Sequence, residues 1–307
     1  MSTQKPPQKP PIAKIANPLG AAWDAVESTL QSVSEEPVAE ARWLFQHLGY
    51  GASDRRWKAE AQLRPADLDW LQAACARRQR REPLQHILGT QPFRYLDLLV
   101  NRHVLIPRPE TETLVQRVLD AVQKRLVRYD QQTPLRVLDV GTGSGAIALA
   151  LKTECPALEV WATDLSAEAL AVARQNAERV GAQVHFFQGD GLRALPPETP
   201  RFDVLVSNPP YIPHHELAEL APEVRDHEPQ GALVPLDPDP LYFYRHFATL
   251  GPAYLKPGAQ AFFEIHSALG PETVACFDAP HWHKTGLYQD LEGRDRYVES
   301  ELLRVLE

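Results

Sequence analysis

A short asparagine-proline segment carries the clearest chemical signal in the sequence. Asn208-Pro209-Pro210-Tyr211 follows an apolar run that predicts a buried strand. Proline has no N–H, so the carbonyl oxygens of such a loop remain free acceptors. Asn208 Oδ1 and the Pro209 carbonyl oxygen could hold the two hydrogens of a planar –NH₂ group, with Tyr211 packed against its π-face or near a cation. The loop therefore predicts chemistry at an amide or amino nitrogen, against the alternative of a chance turn.

A glycine-rich loop follows another predicted strand, Arg136–Val140. The spacing is Gly-x-Gly-x-Gly, which differs from the Gly-x-Gly-x-x-Gly of dinucleotide-binding loops and lacks the Gly-Lys-Ser/Thr of a phosphate-binding loop. No basic side chain lies in or beside it, so a ligand without phosphates fits best. Its candidate cofactor-binding residues are Gly141, Thr142, Gly143, Ser144 and Gly145.

Three acidic residues stand at the ends of successive predicted strands. Asp164 could accept the hydroxyls of a ribose, as in other nucleoside-binding α/β folds. Asp190 could reach an adenine amine, and Asp139, just before the glycine loop, could meet a cationic amine. A nucleoside with a positive charge and no phosphate describes S-adenosyl-L-methionine. The alternative is a tight turn in an α/β protein that binds another nucleotide.

Strands and helices alternate over the second part of the chain, which predicts a parallel sheet with helices on both faces. In such sheets ligands bind at the carboxyl ends of the strands, where the candidate residues fall. The predicted strands are Arg136–Val140, Val160–Thr163, Val184–Gln188, Val204–Ser207, Ala261–Ile265 and Tyr297–Ser300. The predicted helices are 111–128, one from Gly145, and Ala167–Val180.

The first part of the chain has a different pattern. Five of the 28 prolines lie in residues 1–18, which predicts a flexible tail. Helical spacing predicts three or four helices over residues 19–90, including Ala21–Val33, Pro37–Leu48 and Asp67–Arg80. Residues 91–108 predict a β-hairpin linker around a turn at Asn101-Arg102, which leads into a catalytic domain over 109–307.

Composition and charge narrow the function classes. The net charge is −8, with 13 basic and 11 acidic residues in 1–100 against 19 and 29 in 101–307. An acidic domain repels phosphate, so direct binding of nucleic acid is not expected. Three widely spaced cysteines predict no disulfide framework and fit a reducing cytoplasm. No metal site, membrane span or secretory signal is expected.

Taken together, the Gly141–Gly145 and Asn208–Tyr211 loops resemble the signature of amino-group and amide methyltransferases. Three further segments, Leu105–Glu112, Arg81–Gly89 and Asp226–Pro229, narrow this resemblance. They are similar to those of the HemK-type N5-glutamine methyltransferases that modify peptide chain release factors. The similarity covers residues 20–305 approximately.

The resemblance implies a fold and a reaction. The expected fold is α/β, a Rossmann-like class I methyltransferase domain with a small N-terminal helical bundle that recognises the release factor. The expected donor is S-adenosyl-L-methionine, with S-adenosyl-L-homocysteine as product, and the target is the glutamine of the Gly-Gly-Gln loop. A cytoplasmic monomer is expected.

The resemblance also assigns site residues. Cofactor positions map onto the Gly141–Gly145 loop, Asp164, Gly191 and Asn208, and the substrate loop onto Asn208–Tyr211. Arg108, Glu110 and Glu112 belong to the implied substrate-binding set, although the two glutamates could instead cap a helix. The family often has a bulky aromatic where this chain has Gly191, so we expect the adenine to be covered by Leu192 or held more loosely.

Three alternatives remain open at this point. A related enzyme class methylates a glutamine of a ribosomal protein, but the Pro-Arg-Pro-Glu-Thr-Glu segment favours a release factor. The Asn208–Tyr211 loop would also suit N6-adenine methylation of nucleic acid, against which the acidic charge of 101–307 counts. A non-catalytic module that binds the cofactor or a partner is the third.

Overall fold

The computed structural model describes residues 15–126, 134–278 and 280–303, which form two compact units that divide between Leu88 and Gly89. Most of the predicted tail, residues 1–14, lies outside the described residues. The last four residues of the predicted tail, 15–18, are described, and they do not behave as a flexible tail. Ile15 is only 5% exposed and packs in the core of the smaller unit, so that unit begins before residue 19.

The smaller unit is a bundle of short helices, as predicted. Trp23 stacks on Phe45 at its centre, with ring centroids 4.2 Å apart and an interplanar angle of 6°. Pro37 and Pro65 occupy first helical positions, where the missing N–H costs no hydrogen bond. The helices of this unit are α1 (Leu19–Leu30), α2 (Pro37–His47), α3 (Ala52–Trp57), α4 (Pro65–Gln79) and α5 (Leu84–Leu88).

A β-hairpin opens the larger unit, with strands β1 (Thr90–Phe93) and β2 (Leu96–Leu99). Its turn lies at Arg94-Tyr95, so the prediction that the hairpin turns at Asn101-Arg102 was wrong. The Asn101 carboxamide instead closes a local turn after the hairpin, where Oδ1 accepts the His103 N–H. Apolar residues of both strands belong to the core of the larger unit, so the hairpin is part of that unit.

Tertiary contacts explain the position of the hairpin turn. Arg94 adopts a left-handed backbone conformation, with φ of +51°. Its N–H donates to Glu112 Oε1 over 2.9 Å, and its guanidinium pairs with Glu154. These partners lie far along the chain, so no local pattern marks the turn.

In the part of the chain that the structure describes, seven strands form one sheet, in the order β5-β4-β3-β6-β7-β9-β8. The first five are parallel, as predicted, whereas β9 and β8 run antiparallel to their neighbours. Strand β8 was not predicted, because its sequence shows no clear alternation of apolar residues. The strands are β3 (Arg136–Val140), β4 (Glu159–Asp164), β5 (Val184–Gln188), β6 (Phe202–Ser207), β7 (Leu255–Glu264), β8 (Trp282–Gln289) and β9 (Asp295–Leu302).

Helices cover both faces of this sheet, which confirms the predicted α/β architecture. Val137 and Val204 face one core with helices α6 and α7, whereas Leu138 and Leu205 face the other with α10. The two cores follow from the alternation of side chains along each strand. The helices are α6 (Pro109–Leu126), α7 (Ala146–Glu154), α8 (Ala167–Val180), α9 (Pro222–His227), α10 (Tyr242–Tyr254) and α11 (Gly270–Cys276). Among the described helices none is both long and apolar enough to cross a membrane.

A buried asparagine on α8 ties the hairpin to the glycine loop. Asn176 is fully buried; its Oδ1 accepts the Leu99 N–H over 2.6 Å. Its Nδ2 donates to the carbonyl oxygens of Leu99 and Ser144, over 3.0 and 2.9 Å. One side chain therefore satisfies three backbone groups in two segments that flank the helix.

We expect Asn176→Leu to lower the free energy of unfolding by about 2–5 kcal/mol, because three backbone groups lose their partner away from water. Chemical denaturation measures this change. Gln175→Leu, at the exposed neighbouring position, is the matched control and should change stability by less than about 0.5 kcal/mol. Equal effects of the two substitutions would contradict the conclusion that Asn176 ties the hairpin to the glycine loop.

Candidate active site

The glycine loop lies at the carboxyl end of β3 and leaves space for a ligand. Gly141 and Gly143 have φ of +75° and +56°, and a methyl group added at either would meet no atom within 4 Å. At Gly145 the same group would come within 2.9 Å of the Leu149 side chain. The first two glycines therefore keep an open cradle, whereas the third allows α7 to pack closely.

Asp164 ends β4 beside this cradle. Its Oδ2 accepts the Gly143 N–H over 2.8 Å, and its Oδ1 accepts the Ser166 N–H over 2.9 Å. Burial raises the pKa of Asp164 above its ordinary value. Each oxygen keeps a further lone pair, so the carboxylate could still accept two ribose hydroxyls.

Two of the predicted cofactor-binding side chains point beneath the loop. Thr142 is 6% exposed and donates its hydroxyl to Asp139 Oδ2 over 2.6 Å. Ser144 is 3% exposed, and its carbonyl oxygen is held by Asn176. A ligand in the cradle would therefore meet the backbone at these two positions.

Asp139 is fully buried at the end of β3. Its Oδ2 accepts both the Thr142 hydroxyl and, over 3.2 Å, the Ala148 N–H of helix α7. Its Oδ1 is buried and has no protein partner. Burial raises the pKa of this carboxyl to about 7. If Asp139 meets a cationic amine, which stays a prediction from the sequence, this unpaired oxygen is the atom that would accept from it.

The end of β5 carries the other predicted cofactor residues. Asp190 is exposed and pairs with Arg193 over 3.2 Å. Leu192 is fully buried in the core, so the expectation that it covers the adenine was wrong. A methyl group added at Gly191 would lie 3.9 Å from the His246 ring. This imidazole therefore lies where a side chain at position 191 would point. Its Nε2 is buried without a protein partner.

The asparagine-proline loop begins at the end of β6, next to the glycine loop. The Ser207 hydroxyl donates to the Val140 carbonyl oxygen over 2.6 Å, which joins the ends of β6 and β3. Pro209 is buried, whereas Asn208 and Pro210 are half-buried. The structure therefore brings the two predicted loops together at one edge of the sheet.

Two residues outside the loop hold its polar side chains. Asn208 Nδ2 donates to Thr111 Oγ1 over 3.1 Å. The Thr111 hydroxyl donates to Glu264 Oε2 over 2.7 Å, and the Tyr211 hydroxyl donates to Glu264 Oε1 over 3.0 Å. Burial raises the pKa of both Tyr211 and Glu264.

The Leu105–Glu112 segment is held mainly by protein contacts. Arg108 pairs with buried Glu228 over 2.5 Å, and Glu228 also accepts the Ile106 N–H. Glu112 accepts the Arg94 N–H of the hairpin turn. Glu110 is half-buried, and its charge raises the pKa of Glu264. Arg108 and Glu112 thus have structural partners, which sequence reasoning did not anticipate.

Sequence reasoning missed three residues that line this edge, namely Thr111, Leu165 and His246. Thr111 lay inside a segment already singled out. Glu264, at the end of a predicted strand, could from the sequence alone be either structural or cofactor-facing. Leu165 follows Asp164 and is 58% exposed, an apolar surface beside the cradle. An apolar residue next to an acid at the end of a strand was a usable signal, whereas nothing local marked His246.

The fold and its edge loops are those of a class I methyltransferase. The methyltransferase small domain model matches residues 115–224, and the PrmC N-terminal domain model matches residues 21–89. A crystal structure of a methyltransferase from Pyrococcus furiosus has the same fold, with a TM-score of 0.50 and 16% identity. The alignment covers 75% of this chain and all of that one.

Sequence relatives give the narrower assignment. The release factor glutamine methyltransferase of Geobacter sulfurreducens is 38% identical over 86% of this chain and 89% of its own length. Those of Bacteroides thetaiotaomicron and Streptomyces coelicolor are 40% and 42% identical, each over 73% of this chain and over 77% and 78% of their own lengths. This chain belongs to the release factor glutamine methyltransferase family.

The buried carboxyl of Asp139 predicts a pH dependence of stability. The folded state binds its proton more tightly than the unfolded state, because burial raises the pKa from 3.8 to about 7. The contribution of Asp139 to stability is therefore present below pH 3.8 and is lost as the pH rises through about 7. Asp139→Asn stays neutral, so its stability relative to wild type should rise between these pH values, by at most about 4 kcal/mol.

Thermal unfolding of both proteins at several pH values measures this difference. Asp120→Asn, at an exposed position of α6, is the control and should follow the wild type at every pH. Parallel curves for Asp139→Asn and wild type would show that the carboxyl does not titrate in this range.

Proposed function

We propose that this protein transfers a methyl group from S-adenosyl-L-methionine to the side-chain amide nitrogen of the glutamine in the Gly-Gly-Gln loop of a peptide chain release factor. The observation that carries the proposal is the 2.6 Å bond from Ser207 to Val140. It joins the cradle and the asparagine-proline loop, so a donor and an acceptor bound to them would be neighbours. Family membership supports the choice of a glutamine amide.

The residues present fit the proposed cofactor. Gly141 and Gly143 leave room for a ligand to approach the backbone, and no lysine or arginine lies in the loop. Asp164 would hold the ribose, and the free Oδ1 of Asp139 is a buried acceptor for a positive group. Asp190, Gly191 and His246 would surround the adenine. When bound, the cofactor supplies an electrophilic methyl group and leaves as S-adenosyl-L-homocysteine.

The residues of the asparagine-proline loop would then orient the substrate. Asn208 Oδ1 and the Pro209 carbonyl oxygen would accept the two N–H bonds of the glutamine amide. Holding both hydrogens aligns the nitrogen for in-line attack, and the same acceptors stabilise the positive charge that grows on nitrogen. The proton can leave after the N–C bond has formed, so no strong base is required. Tyr211, with its hydroxyl anchored on Glu264, would pack against the amide.

We propose that the helical unit recognises the release factor, since it matches the PrmC N-terminal domain model. The enzyme would act as a monomer in the cytoplasm, where translation terminates. Two alternatives differ in the acceptor: a glutamine of a ribosomal protein, or the exocyclic amine of adenine. The 29 acidic against 19 basic residues of 101–307 count against nucleic acid. Methyl transfer to ribosomal protein or nucleic acid, but not to release factor, would overturn this choice.

We expect Asn208→Ala to lower methylation by on the order of 100-fold or more, because one of two preorganised acceptors is lost. Mass spectrometry of unmethylated release factor after incubation with enzyme and donor measures the product. His215→Ala, an exposed position seven residues along, is the control and should keep wild-type activity. Unchanged methylation by Asn208→Ala would refute the role assigned to Asn208.

A binding measurement, without catalysis, tests the proposal that Asp164 accepts the ribose hydroxyls. We expect Asp164→Asn to weaken S-adenosyl-L-homocysteine binding by about tenfold or more, because a charge-assisted hydrogen bond becomes a neutral one. Isothermal titration calorimetry gives the dissociation constants. Asp97→Asn, at an exposed hairpin position, should bind as the wild type does. Equal affinities for all three proteins would exclude Asp164 from the cofactor site.

A further inference from the structure

The two ends of an asparagine carboxamide have opposite chemistry. An oxygen at the end that faces a substrate –NH₂ group accepts its hydrogens, whereas an –NH₂ at that end would repel it. The two orientations of Asn208 occupy almost the same volume, so packing alone cannot choose between them. The function proposed above requires Oδ1 to face the substrate, and a hydrogen-bonding partner must therefore fix the orientation.

The chain of bonds behind Asn208 starts at Glu264. This carboxyl group, at the end of β7, is 1% exposed and accepts the Thr111 and Tyr211 hydroxyls on separate oxygens. Burial raises the pKa of Glu264, and the two hydroxyl donors and the positive charge of Arg296 act in the opposite direction. An ionised carboxylate can only accept hydrogen bonds.

Thr111 determines which group of Asn208 can bond to it, because its own hydroxyl is already a donor to Glu264. A hydroxyl has a single hydrogen, and Thr111 gives its own to Glu264 over 2.7 Å. Only lone pairs of Thr111 Oγ1 are left for Asn208, so the carboxamide must present a donor to it. The observed bond from Nδ2, at 3.1 Å, meets this requirement. Oδ1 then points away from Thr111 and is free for another partner.

Thr111 is well placed to link Glu264 to Asn208. The residue lies in the first turn of α6 and is 5% exposed, and its N–H donates to the Arg108 carbonyl oxygen. The bond to Glu264 holds its hydroxyl in place. The three linked residues come from α6, the loop after β6 and the end of β7.

We propose that Thr111 and Glu264 are positioning residues that fix the orientation of the Asn208 carboxamide, so that Oδ1 rather than Nδ2 faces the substrate amide. This inference rests on the proposed function. Neither residue contacts the reacting atoms; both act through Asn208.

The test compares Thr111→Val, which keeps the shape but loses the hydroxyl, with Thr111→Ser, which keeps the hydroxyl. We expect kcat for release factor methylation to fall about tenfold or more in Thr111→Val, as loss of one hydrogen bond of ~1.4 kcal/mol gives tenfold. The KM for release factor and the dissociation constant for S-adenosyl-L-homocysteine should stay within about twofold of wild type, because Thr111 contacts neither. Thr111→Ser should recover most of kcat.

A spectroscopic measurement reports on the orientation without catalysis. In protein labelled with ¹⁵N at asparagine side chains, the Asn208 signal is identified by its loss in Asn208→Ala. In wild type and in Thr111→Ser, the hydrogen bond to Thr111 should give the two Nδ2 protons different chemical shifts. That difference should shrink in Thr111→Val, and thermal unfolding shows whether each variant remains folded.

The outcomes separate this inference from the proposed function. Wild-type kcat and an unchanged Asn208 signal in Thr111→Val would overturn the inference and leave the function intact. A kcat loss that Thr111→Ser does not recover would also overturn it, because a packing defect would then explain the loss. A wild-type protein that methylates no release factor would overturn the proposed function, whereas the signal would still decide whether Thr111 holds the carboxamide.

Discussion

One buried carboxyl group holds the candidate active site together. Glu264 receives hydroxyls from Thr111 and Tyr211, residues that lie 153 and 53 positions away along the chain. A buried acid is costly unless it is hydrogen-bonded, so these contacts both satisfy Glu264 and restrict the segments that supply them. Asn208 donates a hydrogen bond to Thr111, which in turn donates to Glu264. The geometry of the asparagine-proline loop therefore depends on Glu264.

The cradle beside that loop is organised in a similar way. Backbone N–H groups of the glycine loop and of the start of α8 converge on Asp164, and the Ser207 hydroxyl joins β6 to β3. Side chains at the strand ends thus bind neighbouring loops rather than pointing free into solvent. A site built so has little to reorganise when a ligand arrives, and this preorganisation favours catalysis.

Residues away from the cradle have structural roles that their sequence did not indicate. Arg108 and Glu228 pair across segments that were both part of the family resemblance, and Glu112 supports the hairpin turn. Residues that recur in a family signature can therefore maintain the shape of a site without touching its ligand. The exposed Leu165 and the unpaired nitrogen of His246 are the opposite case. Leu165 follows Asp164 and His246 lies near Gly191, and no local sequence motif marks either of them.

The sequence by itself determined the alternation of strands and helices, the glycine loop and the asparagine-proline loop. These features are local: a period of two or 3.6 residues, a glycine that accepts positive φ, and a proline without an N–H are properties of neighbouring residues. The sequence did not determine the hairpin turn at Arg94, the pairing of β8 with β9, or the burial of Leu192. Nor did it reveal that Thr111 and Glu264 support Asn208. Only the tertiary structure decided these points, because each depends on groups far apart in the chain that meet when the sheet assembles.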